Sequence, residues 1–227
     1  MTGPEVKLRF TSRADGDLGH AGAWVEVDAV DPAVAARRAA VCPAPWSWLR
    51  QVHGARVVVV DRPGAAAGKA ADAAVTNVAG AALCILTADC APVALVGRDA
   101  EGGVVLGAVH GGWRGLRSDV IRHTVDAMRA LGARDMRATI GPCVHAECYE
   151  FGADDLATMV DRFGPVAQGT TTEGRSALDV PAVVRRALAE AGVTQVDDVD
   201  VCTACSPAHF SHRARGEKER QALVLWT

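Results

Sequence analysis

The chain has 227 residues, of which 49% are hydrophobic, and a formal net charge of −3. This length and composition predict one large globular domain over 1–227 and exclude a globally disordered chain. The basic residues are dispersed and the net charge is small, so the sequence lacks the electrostatic footprint of a protein that binds nucleic acid.

In chain order, runs rich in β-branched residues alternate with segments of helical periodicity. The predicted strands are 6–13, 56–61, 82–86, 94–96, 104–109, 137–140, 200–203 and 222–226. The predicted helices are 32–41, a helix with Ser118 as N-cap and Asp119 in its first turn that ends at Gly132, and a helix capped by Asp179 that ends at Gly192. This interleaving predicts an α/β or α+β fold with mixed β-sheets flanked by helices.

Membrane and secretory features are weak in this sequence. The most apolar stretch, 81–96, is interrupted by Asp89 and Pro92 and is too short to span a bilayer. No apolar signal segment precedes the first predicted strand. Seven cysteines, an odd number, argue against a disulfide framework and for a reducing compartment. We therefore expect a cytoplasmic protein with no membrane partner.

Three short motifs hold the residues best suited to chemistry. His53 lies in Gln-Val-His-Gly at 51–54, Cys90 in Thr-Ala-Asp-Cys-Ala-Pro at 87–92, and His110 in Val-His-Gly-Gly-Trp-Arg-Gly at 109–115. Each of the three follows a strand-like run, and a rigid sheet commonly presents reactive side chains in this way. We expect their ligand atoms to lie within about 4 Å of one another.

These residue types suit more than one chemistry. Two imidazoles and a thiolate can hold a zinc ion whose fourth position stays open. Alternatively, Cys90 is a nucleophile and His110 its base. A third reading is a metal bound only for stability, although such a site does not need the glycine-rich loop. Asp89 either raises the pKa of the neighbouring thiol or orients a histidine N–H.

Anion binding is suggested by the glycine-rich loop after His110. Its glycines allow close backbone approach and leave N–H groups free to form an anion-binding nest. Arg114 in the same loop can hold a phosphate or carboxylate with two hydrogen bonds, unless it pairs with a surface acid. Arg13 is the second candidate for phosphate.

The remaining cysteines suggest a weaker hypothesis. Cys202 and Cys205 have the spacing of a zinc knuckle, and Cys143 and Cys148 flank a histidine. These four cysteines could form one structural metal site, but two unrelated buried pairs are the favoured interpretation.

Taken together, the three motifs closely resemble the laccase-domain family, also called the YfiH-like, polyphenol oxidase or purine nucleoside phosphorylase family. Further matching segments are Phe-Thr-Ser-Arg at 10–13, Ile-Gly-Pro-Cys at 140–143, Cys-Tyr-Glu at 148–150, Phe-Ser-His-Arg at 210–213 and Arg-Gln-Ala at 220–222. The chain departs from the family pattern in a shorter loop at 14–19, in Gly111 where many relatives carry alanine, and in His212 where they carry tyrosine.

The resemblance implies a single domain with mixed sheets, similar to the deamidase domain of the cytotoxic necrotizing toxins. It also implies Zn²⁺ held by His53, Cys90 and His110. Family activities include phosphorolysis of adenosine, inosine and methylthioadenosine, and adenosine deamination. Some bacterial members are described as peptidoglycan editing factors that remove misincorporated serine.

We therefore predict a zinc-dependent purine nucleoside enzyme that acts on a small-molecule nucleoside and phosphate. His53, Cys90 and His110 are the predicted catalytic and metal residues, and Arg13 and Arg114 the predicted substrate contacts. The alternative is a cysteine hydrolase or amidase that acts on peptidoglycan precursors. Copper-assisted phenol oxidation is disfavoured because multicopper sites use His-x-His pairs, which this sequence lacks, although adventitious copper could still bind. The sequence leaves the oligomeric state open.

Overall fold

The structure is a computed structural model that describes residues 5–19 and 31–227. The first strands are Lys7–Phe10 (β1), Trp46–Arg50 (β2), Val57–Val59 (β3), Lys69–Ala70 (β4), Ala73–Thr76 (β5), Ala82–Thr87 (β6) and Ala91–Arg98 (β7). They are followed by Val104–Gly111 (β8), Arg134–Ile140 (β9), Gln168–Thr170 (β10), Ser176–Leu178 (β11), Gln195–Asp198 (β12) and Gln221–Trp226 (β13). The helices are Pro32–Val41 (α1), Trp113–Arg117 (α2), Val120–Ala130 (α3), Ala153–Phe163 (α4), Val180–Glu190 (α5) and His212–Arg215 (α6).

Two mixed sheets form the framework. The first has the strand order β1-β13-β6-β2-β4, with β2 parallel to β6 and the other pairs of β6 and β13 antiparallel. The second has the order β12-β9-β7-β8-β5-β3, centred on a long antiparallel pairing of β7 with β8. The strands β10 and β11 form a separate pair. The predicted class, an α/β domain with mixed sheets and flanking helices, is confirmed.

The buried side chains arrange these elements in four layers. Leu83, Leu106 and Leu223 belong to an apolar cluster that fills the space between the two sheets. The other face of the six-stranded sheet is covered by α3, α4 and α5, whose helical stripes are buried against it. The outer face of the five-stranded sheet is covered by α1, which packs against Trp48 and Val224. None of the helices in the described part of the chain is both long and apolar enough to cross a bilayer.

Two of the three predicted helices are confirmed. The helix predicted at 32–41 is confirmed as α1. Asp179 caps α5, since its Oδ1 accepts a hydrogen bond from the N–H of Ala182 at 2.9 Å. The predicted cap of α3 is wrong: the N-cap residue is Asp119 and not Ser118, its φ is 65°, and its side chain makes no capping bond. Its carboxylate instead forms ion pairs with Arg122 and Arg162.

The predicted strand at 200–203 is also wrong. The edge strand there is β12, which lies a few residues earlier and pairs with β9 in parallel. Asp198 explains the shift, because its Oδ1 accepts a hydrogen bond from the N–H of Asp200 at 2.8 Å. Asp200 has φ of 54°, so the chain turns at the point where a strand was predicted. Only an isolated bridge between Cys143 and Cys202 remains. Helices α2, α4 and α6 and strands β2, β4, β5, β10 and β11 were not predicted.

Candidate metal and substrate site

The crossing between the two sheets positions Cys90. Strand β6 belongs to the five-stranded sheet and β7 to the six-stranded sheet, and Cys90 lies in the short connection between them. The β7–β8 register places His110 opposite Pro92, so His110 emerges two residues away from Cys90 on the neighbouring strand. Strand β2 runs parallel to β6, which brings the loop after β2, with His53, to the same edge.

The three residues converge. One ligand atom from each of His53, Cys90 and His110 lies within 4.8 Å of the other two. The Sγ atom of Cys90 is 3.8 Å from Nε2 of His53. The two imidazole rings meet edge to face, with their centroids 4.8 Å apart. His110 is buried and His53 is exposed, so the cluster is held from one side and open on the other.

Asp72, a residue that the sequence analysis did not single out, holds this cluster together. Its carboxylate is fully buried and accepts hydrogen bonds from the N–H groups of Val52 (3.1 Å), His53 (2.8 Å) and Gly54 (2.8 Å). Oδ1 also lies 2.9 Å from Nδ1 of His110. The same carboxylate therefore orients one ligand directly and shapes the loop that carries another. The sequence carries one signal for this role: Asp72 is the single acid inside the alanine-rich run 70–74. A carboxylate buried in such a run needs hydrogen-bond partners.

The hydrogen bonds fix the tautomer and the charges. Because Nδ1–H of His110 donates to Asp72, Nε2 of His110 is left for Cys90. Burial raises the pKa of the Cys90 thiol, but His110 and His53 more than offset it and lower that pKa to about 6. Burial lowers the pKa of His110, whereas Cys90 and Asp72 raise it to about 9. Both shifts favour a Cys90 thiolate beside a His110 imidazolium when no metal is bound.

Asp89 does not orient a histidine. Its carboxylate accepts hydrogen bonds from Thr203 Oγ1 at 2.7 Å and from the N–H of Arg213 at 2.6 Å. The backbone of Asp89 has φ of 93°, which turns the chain sharply just before Cys90. Asp89 thus ties the Cys90 turn to the C-terminal loop, while the orienting role belongs to Asp72.

The donor set fits a zinc ion. A tetrahedral site with Zn–S of about 2.3 Å and Zn–N of about 2.0–2.1 Å separates sulfur from nitrogen by about 3.6 Å. The 3.8 Å between Cys90 and His53 is close to that value. The carboxylate of Asp72 behind His110 is the usual second partner of a ligating histidine.

Gly112 leaves room directly above the three side chains. A Cβ atom there would lie 2.8 Å from Cδ2 of His53, 3.4 Å from Cε1 of His110 and 3.6 Å from Sγ of Cys90. The glycine motif is therefore required by close approach to the cluster, and not by positive φ at this position.

A cavity of about 560 Å³ opens in front of the cluster, a size typical of small-molecule sites. Its wall combines the cluster with aromatic and cationic side chains: Trp48, Trp113, Tyr149, His212, Arg114, Arg213, Lys218 and Arg220. The guanidinium of Arg213 lies 4.7 Å from the centroid of the Tyr149 ring. Thr87 also lines the cavity, and its buried hydroxyl has no hydrogen-bond partner among the described residues.

The two arginines singled out in the sequence occupy different places. Arg114 lines the cavity, with its guanidinium 4.6 Å from the centroid of the Trp113 ring. Arg13 is not among the lining residues. Its guanidinium pairs with Glu217 at 2.7 Å and donates to the carbonyl of His209 at 3.0 Å. This position favours a structural role for Arg13 over the phosphate contact expected from the sequence.

The other cysteines form a cluster that differs from the four-cysteine hypothesis. Cys148, Cys202 and Cys205 come together with Glu147, each offering a ligand atom within 4.8 Å of the others. Cys143 is buried nearby but is not part of the group.

Comparison with known proteins agrees with the resemblance seen in the motifs. Residues 26–227 match the family model described as multi-copper polyphenol oxidoreductase laccase. The chain belongs to this family. A protein of Xylella fastidiosa (strain Temecula1) named purine nucleoside phosphorylase is 40% identical over 188 residues, which cover 79% of this chain and 71% of that protein.

Two further relatives support the same assignment. The Streptomyces griseus protein named purine nucleoside phosphorylase ORF3 is 41% identical over 196 residues, which cover 85% of this chain and 78% of that protein. The crystal structure of the Bacillus licheniformis hypothetical protein YfiH superposes with a TM-score of 0.80 at 26% identity, over 97% of this chain and 92% of that one. Relatives with this name indicate that the chain is an enzyme.

Proposed function

We propose that this chain is a metal-dependent purine nucleoside phosphorylase whose active site is the cavity over His53, Cys90 and His110. The observation that carries the proposal is the make-up of that single cavity. It joins a His₂Cys donor set to aromatic faces suited to a purine and to cationic side chains suited to phosphate. The names of the relatives support the same substrate class.

Phosphorolysis breaks the bond between the sugar C1′ and the purine nitrogen, while a phosphate oxygen bonds to C1′. The protein must therefore hold the phosphate beside the sugar and protonate the leaving base. We assign phosphate binding to Arg114 and Arg213, whose guanidinium groups can each donate two parallel hydrogen bonds. We assign base binding to the Tyr149 and Trp113 rings; the unpartnered Thr87 hydroxyl is buried in the wall of the same cavity.

His212 is our candidate for the proton donor. It lines the cavity outside the metal cluster, and its Nδ1 lies 3.2 Å from the carbonyl oxygen of Glu217. That contact uses Nδ1–H and leaves Nε2 to carry a second proton to the purine nitrogen as the glycosidic bond breaks.

His53, Cys90 and His110 would hold the metal, and we propose Zn²⁺, with copper as the alternative ion. When bound, the ion supplies Lewis acidity and positive charge to the substrate beside it. Adenosine, inosine and methylthioadenosine are the proposed nucleosides. Adenosine deamination is the proposed second activity. In that reaction the oxygen of water replaces the exocyclic amine, which leaves as ammonia.

Elemental analysis followed by product profiling tests this proposal. Purified protein given adenosine and phosphate should release adenine and ribose 1-phosphate; inosine and ammonia without phosphate would report deamination. A strong chelator should stop turnover and Zn²⁺ should restore it, and Cys90→Ala should be inactive yet folded. Full activity after complete metal removal would contradict the proposed mechanism.

A second function, a cysteine amidase, is favoured by one specific observation. His110 contacts Asp72 through Nδ1 and, together with His53, lowers the pKa of the Cys90 thiol to about 6. In that reaction the Cys90 sulfur would bond to an amide carbon, and His110 would protonate the departing amine. Chelation would then be harmless and alkylation of Cys90 would abolish activity. A thioester on Cys90, trapped by mass spectrometry in metal-free protein, would decide for the amidase.

A further inference from the structure

A second group of metal-ligating side chains lies outside the proposed active site. The Sγ atoms of Cys148 and Cys205 are 3.2 Å apart, and Sγ of Cys205 is 3.8 Å from Oε1 of Glu147. Cys202 completes the group, in which every ligand atom lies within 4.8 Å of the others. The proposed reaction uses none of these side chains.

Two short turns bring these side chains together. Cys202 and Cys205 are separated by two residues on the loop after β12, and Cys148 ends a short turn at Ala146–Cys148. Burial raises the pKa of the Cys202 thiol and outweighs the backbone hydrogen bonds that act against it. A metal must therefore displace the thiol protons as it binds.

We propose that Cys148, Cys202, Cys205 and Glu147 form a second, structural zinc site. Three thiolates and a carboxylate complete a closed tetrahedral shell, and thiolate-rich sets select zinc over the hard cations magnesium and calcium. In a tetrahedral site with Zn–S of about 2.3 Å the sulfurs lie about 3.8 Å apart. Movements of the ligand atoms by about 1 Å or less would therefore bring this cluster to tetrahedral geometry. Each thiol releases its proton to solvent as the metal binds.

This site lies next to the cavity, although its side chains take no part in the proposed reaction. Cys148 precedes Tyr149, whose ring lines the cavity. Thr203, within the Cys202–Cys205 turn, donates its hydroxyl to Asp89 at 2.7 Å, next to Cys90. A metal here would tie the turn that carries Tyr149 to the turn that holds Asp89. We therefore expect it to stabilise the cavity wall.

Metal counting on the full-length protein tests this proposal without measuring activity. Wild-type protein purified under reducing conditions should hold about two zinc ions per chain, and Cys90→Ala and Cys205→Ser about one each. The double variant should hold none, and Cys143→Ala, which removes a neighbouring sulfur outside the cluster, should keep two. Cobalt added to metal-free Cys90→Ala should give the intense charge-transfer absorption of a three-thiolate site.

A milder variant covers the case in which Cys205→Ser fails to fold. Glu147→Gln should lose the second ion to a chelator before wild type does, while Glu150→Gln, at an exposed residue outside the cluster, should not. A metal-free cluster in Cys90→Ala, or a Cys148–Cys205 disulfide in reduced, zinc-supplied protein, would overturn the proposal. Either result would leave the proposed nucleoside activity standing, because that proposal is tested separately by product profiling and by Cys90→Ala.

Discussion

Replacing Asp72 by asparagine is the sharpest perturbation that the structure offers. The substitution keeps the shape of the side chain but exchanges one acceptor oxygen for an NH₂ donor. Oδ1 accepts from the N–H of His53 and faces Nδ1 of His110, and Oδ2 accepts from the N–H of Gly54. Either orientation of the amide therefore sets a donor against a donor in a fully buried place.

The magnitude follows from these contacts. An unsatisfied buried donor costs about 1–3 kcal/mol, and breaking a buried charged pair costs about 3–5 kcal/mol. We expect Asp72→Asn to lose about 3–5 kcal/mol of a total unfolding free energy of about 5–15 kcal/mol. If the amide NH₂ faces His110, Nδ1 becomes an acceptor and the proton moves to Nε2, the atom needed by a metal. Metal affinity should then fall by about 10–100-fold.

Urea unfolding measures the first effect, and zinc competition against a chromophoric chelator measures the second. Asp61→Asn is a matched control, since Asp61 is exposed and pairs with Arg62 at the surface. It should change stability by less than about 0.5 kcal/mol and leave zinc affinity unchanged. If Asp72→Asn behaved like this control in both assays, Asp72 would not be the residue that positions the cluster.

Two further substitutions separate stability from function. Thr87→Val removes a buried hydroxyl that has no partner in the described structure, so thermal stability should hold or rise; KM for the nucleoside should rise by about tenfold if that hydroxyl contacts substrate. An unchanged KM would remove Thr87 from the substrate site. Gly112→Ala should displace the exposed His53 ring and weaken zinc binding by at least about tenfold, while Gly152→Ala, where nothing lies within 4 Å of the added atom, should not. Wild-type zinc affinity in Gly112→Ala would contradict the close-approach argument.

The fold was predictable where local signals were strong. Helix α1 has Asp31 as cap and Pro32 in its first turn, and α5 has the same pair in Asp179 and Pro181, so both starts could be recognised. Strand β2 and helix α4 were missed because their patterns are ambiguous over short windows. Pairing between distant strands, such as β2 with β6, has no local signature at all.

The convergence of His53, Cys90 and His110 was expected from three separate motifs. The residue that orients them, Asp72, was not expected. Motifs identify side chains with reactive atoms, whereas orienting residues are ordinary acids or hydroxyls whose role depends on tertiary contacts. Arg13, a predicted phosphate contact, shows the converse difference between motif and position. Its motif was as conspicuous as that of Arg114, but an ion pair with Glu217 places it outside the cavity wall.

Asp72 and Asp89 show why the rest could not be predicted. Both are single acids in apolar surroundings, and Asp89 lies next to Cys90 in sequence, so proximity favoured it as the partner of a histidine. A strand pairing decides otherwise: β5 lies beside β8 with Ala73 opposite Val109, which sets Asp72 against His110. Asp89 instead faces Thr203, more than a hundred residues away. The chemistry of the cluster is thus set by sheet register. A one-residue slip of this register would separate Asp72 from His110, although every sequence motif would remain.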